Sequence, residues 1–498
     1  MRSVEELLIY HAQKDPSKSA VIVDNCKYSY KHLEKLVIGF GGYLKIEAGI
    51  KKGDSVLIRA TQSIEFAVAY FATHFLGAIA VPLEKNAPAD LIERAIDLAE
   101  PKLLVGSDSI VTDRIECILK NTILERAREY CNVQYEKCSI EISDTADIMF
   151  TSGTTGAMKG VEVSYETILA TSENYIIGFE MKKDDVMAVP GPLSHVNPLR
   201  KLYTTIVNGS TIVILNGLLS IKEFFSAVEK YNVNSLCLPP SALHVIWKMS
   251  HDKLSDYKNQ IRYVECSTAP LLMKDKEVLR TQLPYSRLYN NYGLSECGAM
   301  AMYDFNRYQE KKEGCVGKAM KNSHVIILDE EGNEIKSSSD KMGVVANKGK
   351  INMKGYWKNK DLTESTIRNG YVVTNDIGYV DKEGFLYIMG RKNDTINIGG
   401  LKVEPLEVEE IASELLPIKE CVCIAVPDEL TENALKLLVV MDDDVKLDAN
   451  QMRKVLGSRL EAHKVPRYYE NIKSIPRNGI GKIDRKKVLS IIEKGSEN

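Results

Sequence analysis

The ten residues Thr151–Gly160, TSGTTGAMKG, carry three glycines, four hydroxyl side chains and one lysine. Glycine lets the backbone turn with φ > 0 and come close to a ligand. Successive N–H groups in such a turn form a concavity that holds anions. Gly153 and Gly156 supply that freedom, Thr151, Ser152, Thr154 and Thr155 supply hydroxyl donors, and Lys159 supplies a point charge. The guest these residues suit is a polyphosphate. The same composition also makes ordinary loops, and the glycine spacing is not that of the G-x-x-x-x-G-K-[ST] phosphate loop.

Four further stretches carry reactive side chains. Pro192–Pro198, PLSHVNP, sets His195 and Asn197 between prolines; Asn290–Glu296, NNYGLSE, is a polar turn with one acid. Thr374-Asn375-Asp376 is expected to follow a strand, and Gly479–Arg485, GIGKIDR, presents Lys482 near the C-terminus. Each alone has a plain structural explanation: a hydrogen-bonded histidine, capping carboxylates, an exposed loop lysine.

The elements that must position these stretches are legible in the apolar pattern. Over residues 1–145, helices expected at Val4–Gln13, Ser29–Ile46, Glu65–Leu76 and Leu91–Leu98 alternate with strands at Ala20–Val23, Ser55–Ile58, Ala78–Val81 and Lys102–Val105. Strands separated by helices of this length imply βα units and a mostly parallel sheet. The run Ile148-Met149-Phe150 reads as the end of a buried strand that leads into the glycine-rich loop. The rhythm resumes with a strand at Thr211–Leu215, a helix at Ile221–Lys230 and strands at Ser235–Leu238 and Tyr263–Cys266. From about residue 310 the segments shorten and become turn-rich, with strands expected at His324–Leu328, Gly343–Ala346, Gly370–Val373 and Phe385–Met389. The polar stretch Gly390–Asp394 is the best domain boundary and leaves about a hundred residues of α+β texture behind it, a normal size for a small domain.

Composition excludes several classes. A chain of 498 residues with 44% hydrophobic and 27% charged residues is that of a globular protein with a large core. A net charge of −3 gives no footprint for nucleic acid, and the basic run Lys482–Lys487 is expected to be solvated surface. The most apolar stretch, Phe66–Leu83, contains His74 and Pro82 and is expected to be a buried helix running into a strand, not a membrane span. Glu5 and Glu6 stand where a secretion signal would carry basic residues. Ten cysteines without a C-x-x-C pair suggest neither zinc nor a disulfide framework and fit a reducing cytoplasm.

In their order and spacing the five stretches resemble the motifs of the adenylate-forming enzyme superfamily, which includes acyl- and aryl-CoA ligases, luciferases and the adenylation domains of peptide synthetases. TSGTTGAMKG is similar to its phosphate loop, Tyr292–Glu296 to YGxTE, Thr374–Asp376 to TGD, Gly390–Glu409 to the hinge motif, and GIGKIDR to the catalytic-lysine motif. PLSHVNP resembles the acyl- and aryl-acid branches. The resemblance implies an α/β fold. A large N-terminal domain of βα subdomains with a small β-barrel-like part (1–391) would be followed by a small mobile α+β domain (392–498). It also implies a two-step reaction. A carboxylate attacks the α-phosphate of ATP to give acyl-AMP and pyrophosphate, and a thiol then displaces AMP.

The roles implied by the resemblance follow residue by residue. Thr151, Ser152, Gly153, Thr154, Thr155, Gly156 and Lys159 would hold the β- and γ-phosphates, Glu296 would bind Mg²⁺, and Ser295 would reach the α-phosphate. Asp376 and Arg391 would hold the ribose, and Ala269, Pro270, Asn291, Tyr292 and Gly293 would border the nucleotide. His195, Asn197 and Gly293 would line the acid pocket, with Gly293 leaving room for a ring or chain; Arg200 is expected on the surface. Lys482 would bridge carboxylate and nucleotide, with a hinge at Asn393 and a thiol tunnel along Gly399, Gly400 and Lys402. Asn375, in place of a glycine, is expected to tolerate φ > 0 there. The acid is aryl or medium-chain. The acceptor is coenzyme A or the phosphopantetheine of a carrier protein, and a nucleotide-binding regulator without turnover is the reading from another class.

Overall fold

Serines end strands or loops and begin helices in the N-terminal half. Ser29 accepts the His32 N–H, Ser63 that of Phe66, and Ser164 that of Thr167, which satisfies otherwise orphaned donors at the starts of the helices Tyr30–Ile46, Ile64–Phe75 and Tyr165–Gly178. The computed structural model describes residues 3–490 apart from 136–137, 153–157, 219, 312–313, 393–395, 399–400, 429–431, 443–444, 478–482 and 486.

Two large sheets carry the N-terminal part. In one, the strands Thr145–Ser152, Ile79–Glu84, Ser55–Ala60, Leu103–Ser107 and Glu116–Leu119 run parallel, and Met158–Ser164 and then Gly355–Tyr356 add antiparallel at one end. In the other, Ser19–Val23, Thr211–Ile214, Val186–Val189, Ser235–Cys237, Tyr263–Cys266 and Arg287–Leu294 are parallel. This sheet continues antiparallel through Gly298–Asp304, Cys315–Ala319, Leu386–Arg391, Tyr371–Val380, Gly343–Lys348 and His324–Leu328. The parallel βα reading therefore holds for the interior of each sheet, and the turn-rich segment joins the second sheet directly.

The apolar run Phe66–Leu83 lies in the helix Ile64–Phe75, buried apart from Glu65, a turn at Gly77 with φ +68°, and the strand Ile79–Glu84. Among the described residues no helix is long and apolar enough to cross a membrane. The strand that leads to the glycine-rich loop is pinned near its start. Asp147 accepts from Tyr70 Oη at 2.9 Å and lies 2.8 Å from His74 Nε2, while His74 Nδ1 lies 3.4 Å from Glu5 Oε1 on the helix Val4–Lys14. All three charged groups are buried. Burial opposes the charge on His74, but Asp147 and Glu5 outweigh it and push the imidazole up to about 10.

Beyond Arg391 a separate core forms around Val403, Val408, Ala412, Cys423, Leu437, Val439 and Leu456, from the helices Pro405–Leu415 and Ala449–Leu456 and the strands Ile418–Asp428 and Glu432–Met441. In the basic run Lys482–Lys487, expected to be solvated, Lys487 is exposed but Arg485 is tied down. Arg485 Nη2 binds Glu409 Oε1 at 2.7 Å and Oε2 at 2.9 Å, and its Nη1 donates to Cys423 O at 2.8 Å. The charge-assisted pair ties the C-terminal segment to the buried side of the helix that bears Glu409.

Candidate active site

The glycine-rich stretch joins two strands of a hairpin. Thr151 pairs with Lys159 and Ser152 with Met158 across the antiparallel strands Thr145–Ser152 and Met158–Ser164. Gly153, Thr154, Thr155, Gly156 and the Ser152 side chain lie outside the described residues. Gly160 is glycine for a packing reason: a Cβ there would sit 2.7 Å from Ile148 Cγ2 and 3.3 Å from Trp357 Cβ. That closeness lets Gly355–Tyr356 pair with the second hairpin strand, and Trp357 N–H donates to Gly160 O at 2.8 Å. Lys159 Nζ lies 5.6 Å from the ring centre of Tyr356.

Tyr356 also reaches the turn that carries Glu296. Its hydroxyl donates to Glu296 Oε1 at 2.9 Å, and Met353 N–H donates to Glu296 O at 2.8 Å. The turn Ser295-Glu296-Cys297 joins the strands Arg287–Leu294 and Gly298–Asp304. Its entry is clamped by Arg200, whose Nη2 donates to Leu294 O at 3.2 Å and Ser295 O at 3.3 Å. Arg200 is 6% exposed, so the expected surface position is wrong; the guanidinium is drawn inward by the Leu294 and Ser295 carbonyls that it clamps. Gly293 also has a reason other than the expected one. A Cβ there would stand 2.1 Å from Gly298 O, so the hairpin itself demands glycine.

Asp376 lies within the strand Tyr371–Val380, not after a strand as expected. Thr374 Oγ1 holds it there, donating to Val345 O at 2.7 Å and accepting the Asp376 N–H at 3.0 Å. Asn375 is not among the residues with positive φ, so this site asks for no left-handed backbone. Tyr292 Oη donates to Asp376 Oδ2 at 2.5 Å, and Arg391 Nε lies 3.3 Å from Oδ1. Burial and then the Asp376 charge push the Tyr292 phenol well above its ordinary value, which keeps it a donor. The NNYGLSE and TND stretches thus meet through one short hydrogen bond.

His195 and Asn197 part company. His195 is the N-cap of the helix Val196–Asn208, with Nε2 4.0 Å from Glu84 Oε1. Asn197 points inward, its Nδ2 donating to Ser267 Oγ at 2.9 Å and its Oδ1 accepting from Tyr175 Oη at 3.2 Å and Lys201 Nζ at 3.1 Å. Ala269 and Pro270 come after the strand Tyr263–Cys266 and directly follow Thr268, a β-branched residue held at φ +74°. Such a conformation is costly and concentrates at ligand sites. Lys402 pairs with Asn397 in a short hairpin, its side chain outside the described residues, as are Asn393, Gly399, Gly400 and Lys482 altogether.

This geometry can be set beside known proteins. The family model of the AMP-binding enzyme matches residues 8–357, and that of the AMP-binding enzyme C-terminal domain matches 407–482. The chain belongs to the AMP-binding enzyme family. Among its relatives, a long-chain-fatty-acid–CoA ligase of Bacillus subtilis is 26% identical over 100% of this chain and 95% of its own length. A 2-succinylbenzoate–CoA ligase of Bacillus licheniformis is 27% identical over 96% and 98%. The crystal structure of ATP-bound MatB from Rhodopseudomonas palustris shares the fold, with a TM-score of 0.88 at 22% identity over 98% of this chain and 99% of that one. The adenylate-forming superfamily expected from the motifs is therefore the right one, and its relatives place this AMP-binding enzyme in the CoA-ligase branch.

Several residues that hold this AMP-binding enzyme's candidate site together were not assigned to it by the motifs. Tyr356 sits in a Gly-Tyr-Trp triplet whose partner is 60 residues away. Arg200 and Lys201 interrupt the apolar phase of a helix, and Glu265 interrupts the strand Tyr263–Cys266. For Arg200, Lys201 and Glu265 the sequence signal is a charge on a buried phase.

Proposed function

We propose that this enzyme activates a small carboxylic acid with ATP and passes the acyl group to coenzyme A. The observation that carries the reading is the Tyr292–Asp376 hydrogen bond at 2.5 Å, with Arg391 on the other carboxylate oxygen. It joins two motifs 84 residues apart into one polar surface. Each Asp376 oxygen keeps a lone pair for a ribose hydroxyl. Thr151 and Lys159 stand at the base of the loop that would take the β- and γ-phosphates, with Ser295 directed to the α-phosphate. Ala269, Pro270, Asn291 and Gly293 border the nucleotide, and His195 and Asn197 lie on the acid's side.

Among the described residues no three His, Cys, Asp or Glu side chains cluster as a metal cage. Glu296, a single carboxylate, fits Mg²⁺, which takes one or two carboxylates and completes its shell with phosphate oxygens and water. When bound, Mg²⁺ neutralises charge on the phosphates. In the first step a carboxylate oxygen bonds to the α-phosphorus and pyrophosphate leaves, with Lys482 between the two reactants. In the second a thiolate sulfur bonds to the acyl carbon and AMP leaves. Catalysis is mostly positioning and electrostatics.

We place the domain boundary at 391/392 and the hinge at Asn393, with Gly399, Gly400 and Lys402 along the thiol's path. A rotation there would deliver Lys482 for one half-reaction and withdraw it for the other. All ten cysteines are free, which supports a reducing cytoplasm. The test is pyrophosphate release across a panel of acids, followed by addition of coenzyme A or a phosphopantetheinylated carrier protein. Lys482→Ala should lose acyl-AMP formation by about 100-fold or more, the size of one preorganised donor, and keep thioester formation from supplied acyl-AMP. Equal losses in both steps would refute its role. Thioester on the carrier alone would make the enzyme a carrier-loading one, and tight ATP binding without any release would make it a regulator.

A further inference from the structure

Behind Asn197 lies a cluster of buried charged and polar groups that the roles above leave unused. Lys201 and Glu265 are both fully shielded from solvent, with Nζ 3.5 Å from Oε1. Lys201 Nζ also donates to Asn197 Oδ1 and lies 3.2 Å from the ring centre of Tyr175. Glu265 Oε1 accepts from Asn291 Nδ2 at 2.9 Å, and its Oε2 accepts from Cys237 Sγ at 3.0 Å. Asn291 Nδ2 reaches Tyr175 Oη at 3.2 Å as well. Asn291 is 6% exposed, and its Oδ1 is buried with no hydrogen-bond partner among the described residues.

Stability does not explain this cluster. Removing two charges from water costs several kcal/mol per ion, and apolar replacements of similar volume are often neutral or better. Its position does. It is bonded to Asn197, Ser267 and Asn291, one residue from each of three segments that border the acid and nucleotide. An alkyl tail needs apolar walls to run along. Behind Asn197 stand instead a lysine, a glutamate and a tyrosine, and one buried carbonyl oxygen without a donor among the described residues.

Resting on the function proposed above, we propose that the Lys201–Glu265 cluster closes the acid pocket where it meets the nucleotide's border at Asn291, and makes it specific for compact acids that carry a hydroxyl or amino group for Asn291 Oδ1. A site built to hydrogen-bond a substrate group rejects the analogue lacking it strongly, because its own buried polar atom stays unpaired. Long-chain acids are refused for want of space and of an apolar wall.

The test is kcat/KM for pyrophosphate release by the full-length enzyme with hydroxy- and aminobenzoates, 3-hydroxybutyrate, benzoate, butyrate and dodecanoate. The best hydroxyl- or amino-bearing acid should exceed its unsubstituted analogue at least tenfold and dodecanoate at least 100-fold. In Lys201→Met/Glu265→Leu, which removes both charges, the first ratio should shrink at least tenfold. Dodecanoate used as well as the compact acids overturns the proposal, and so does an unchanged ratio in the folded double variant. If that variant does not fold, the wild-type panel decides alone. No release with any acid would instead overturn the function on which the inference rests.

Discussion

Tyr356→Phe removes one hydroxyl and leaves the ring, so it isolates the hydrogen bond to Glu296 Oε1 at 2.9 Å from the packing around it. Tyr356 stays paired to Val161, and Lys159 keeps its place near the ring. A hydrogen bond to a charged acceptor contributes about 1.5–3 kcal/mol. Glu296 is half-buried, so water recovers part of that loss and the lower end applies. The carboxylate that should hold Mg²⁺ then turns freely, and affinity should fall about 10–30-fold, inside the range of roughly 10–100-fold known for partners that orient metal ligands. The assay is direct: Mn²⁺ binding in the presence of ATP, followed by electron paramagnetic resonance, with a Mg²⁺ titration of pyrophosphate release beside it. Equal Mn²⁺ affinity in wild type and variant would refute the reasoning. A lower melting temperature with unchanged metal affinity would make Tyr356 a packing residue only.

Two further outcomes follow from buried strain and buried charge. Thr268→Gly should raise stability by about 1 kcal/mol in thermal unfolding, because a β-branched residue at φ +74° costs about 1–3 kcal/mol and glycine returns only part as chain entropy; destabilisation would mean the Thr268 side chain earns its place by contact. His74, pushed up to about 10 between Asp147 and Glu5, contributes stability that is complete below its ordinary value near 6.5. That contribution declines as pH rises and is gone above about 10, on the order of 5 kcal/mol at most. The melting temperature should therefore fall from pH 7 to 10 in wild type and much less in His74→Gln, and parallel profiles would count against the ion triad.

The elements that the apolar pattern located most closely are those whose neighbours in sequence decide them. The helix Ile221–Lys230 and the strands Tyr263–Cys266 and His324–Leu328 have the expected bounds. The strand expected to stop at Val373 runs on to Val380, because Thr374 bonds to Val345 and Asp376 pairs with Arg391, contacts that no local pattern encodes. The hairpin around the glycine-rich loop was likewise hidden: Thr145–Ser152 is apolar enough to read as an interior parallel strand, and its antiparallel partner shows only in the fold.

The same distinction separates the motif residues from those that hold them. Groups that meet a ligand come in short stretches, since a loop or turn delivers several at once, and such stretches are readable. The residues that aim them are single and distant: Arg200 lies 94 and 95 positions from the carbonyls it clamps, and Tyr356 lies 60 from Glu296. What they share is a polar group on the apolar phase of its element. That feature is unfavourable unless a partner waits in the interior, and it therefore predicts a partner even where it cannot name one. Lys201 and Glu265 fit the pattern at full burial, each on a different element and each supplying the other's missing charge. A charged residue on a buried phase, in a chain whose ligand motifs are already known, is thus the place to look for what orients the ligand or selects it.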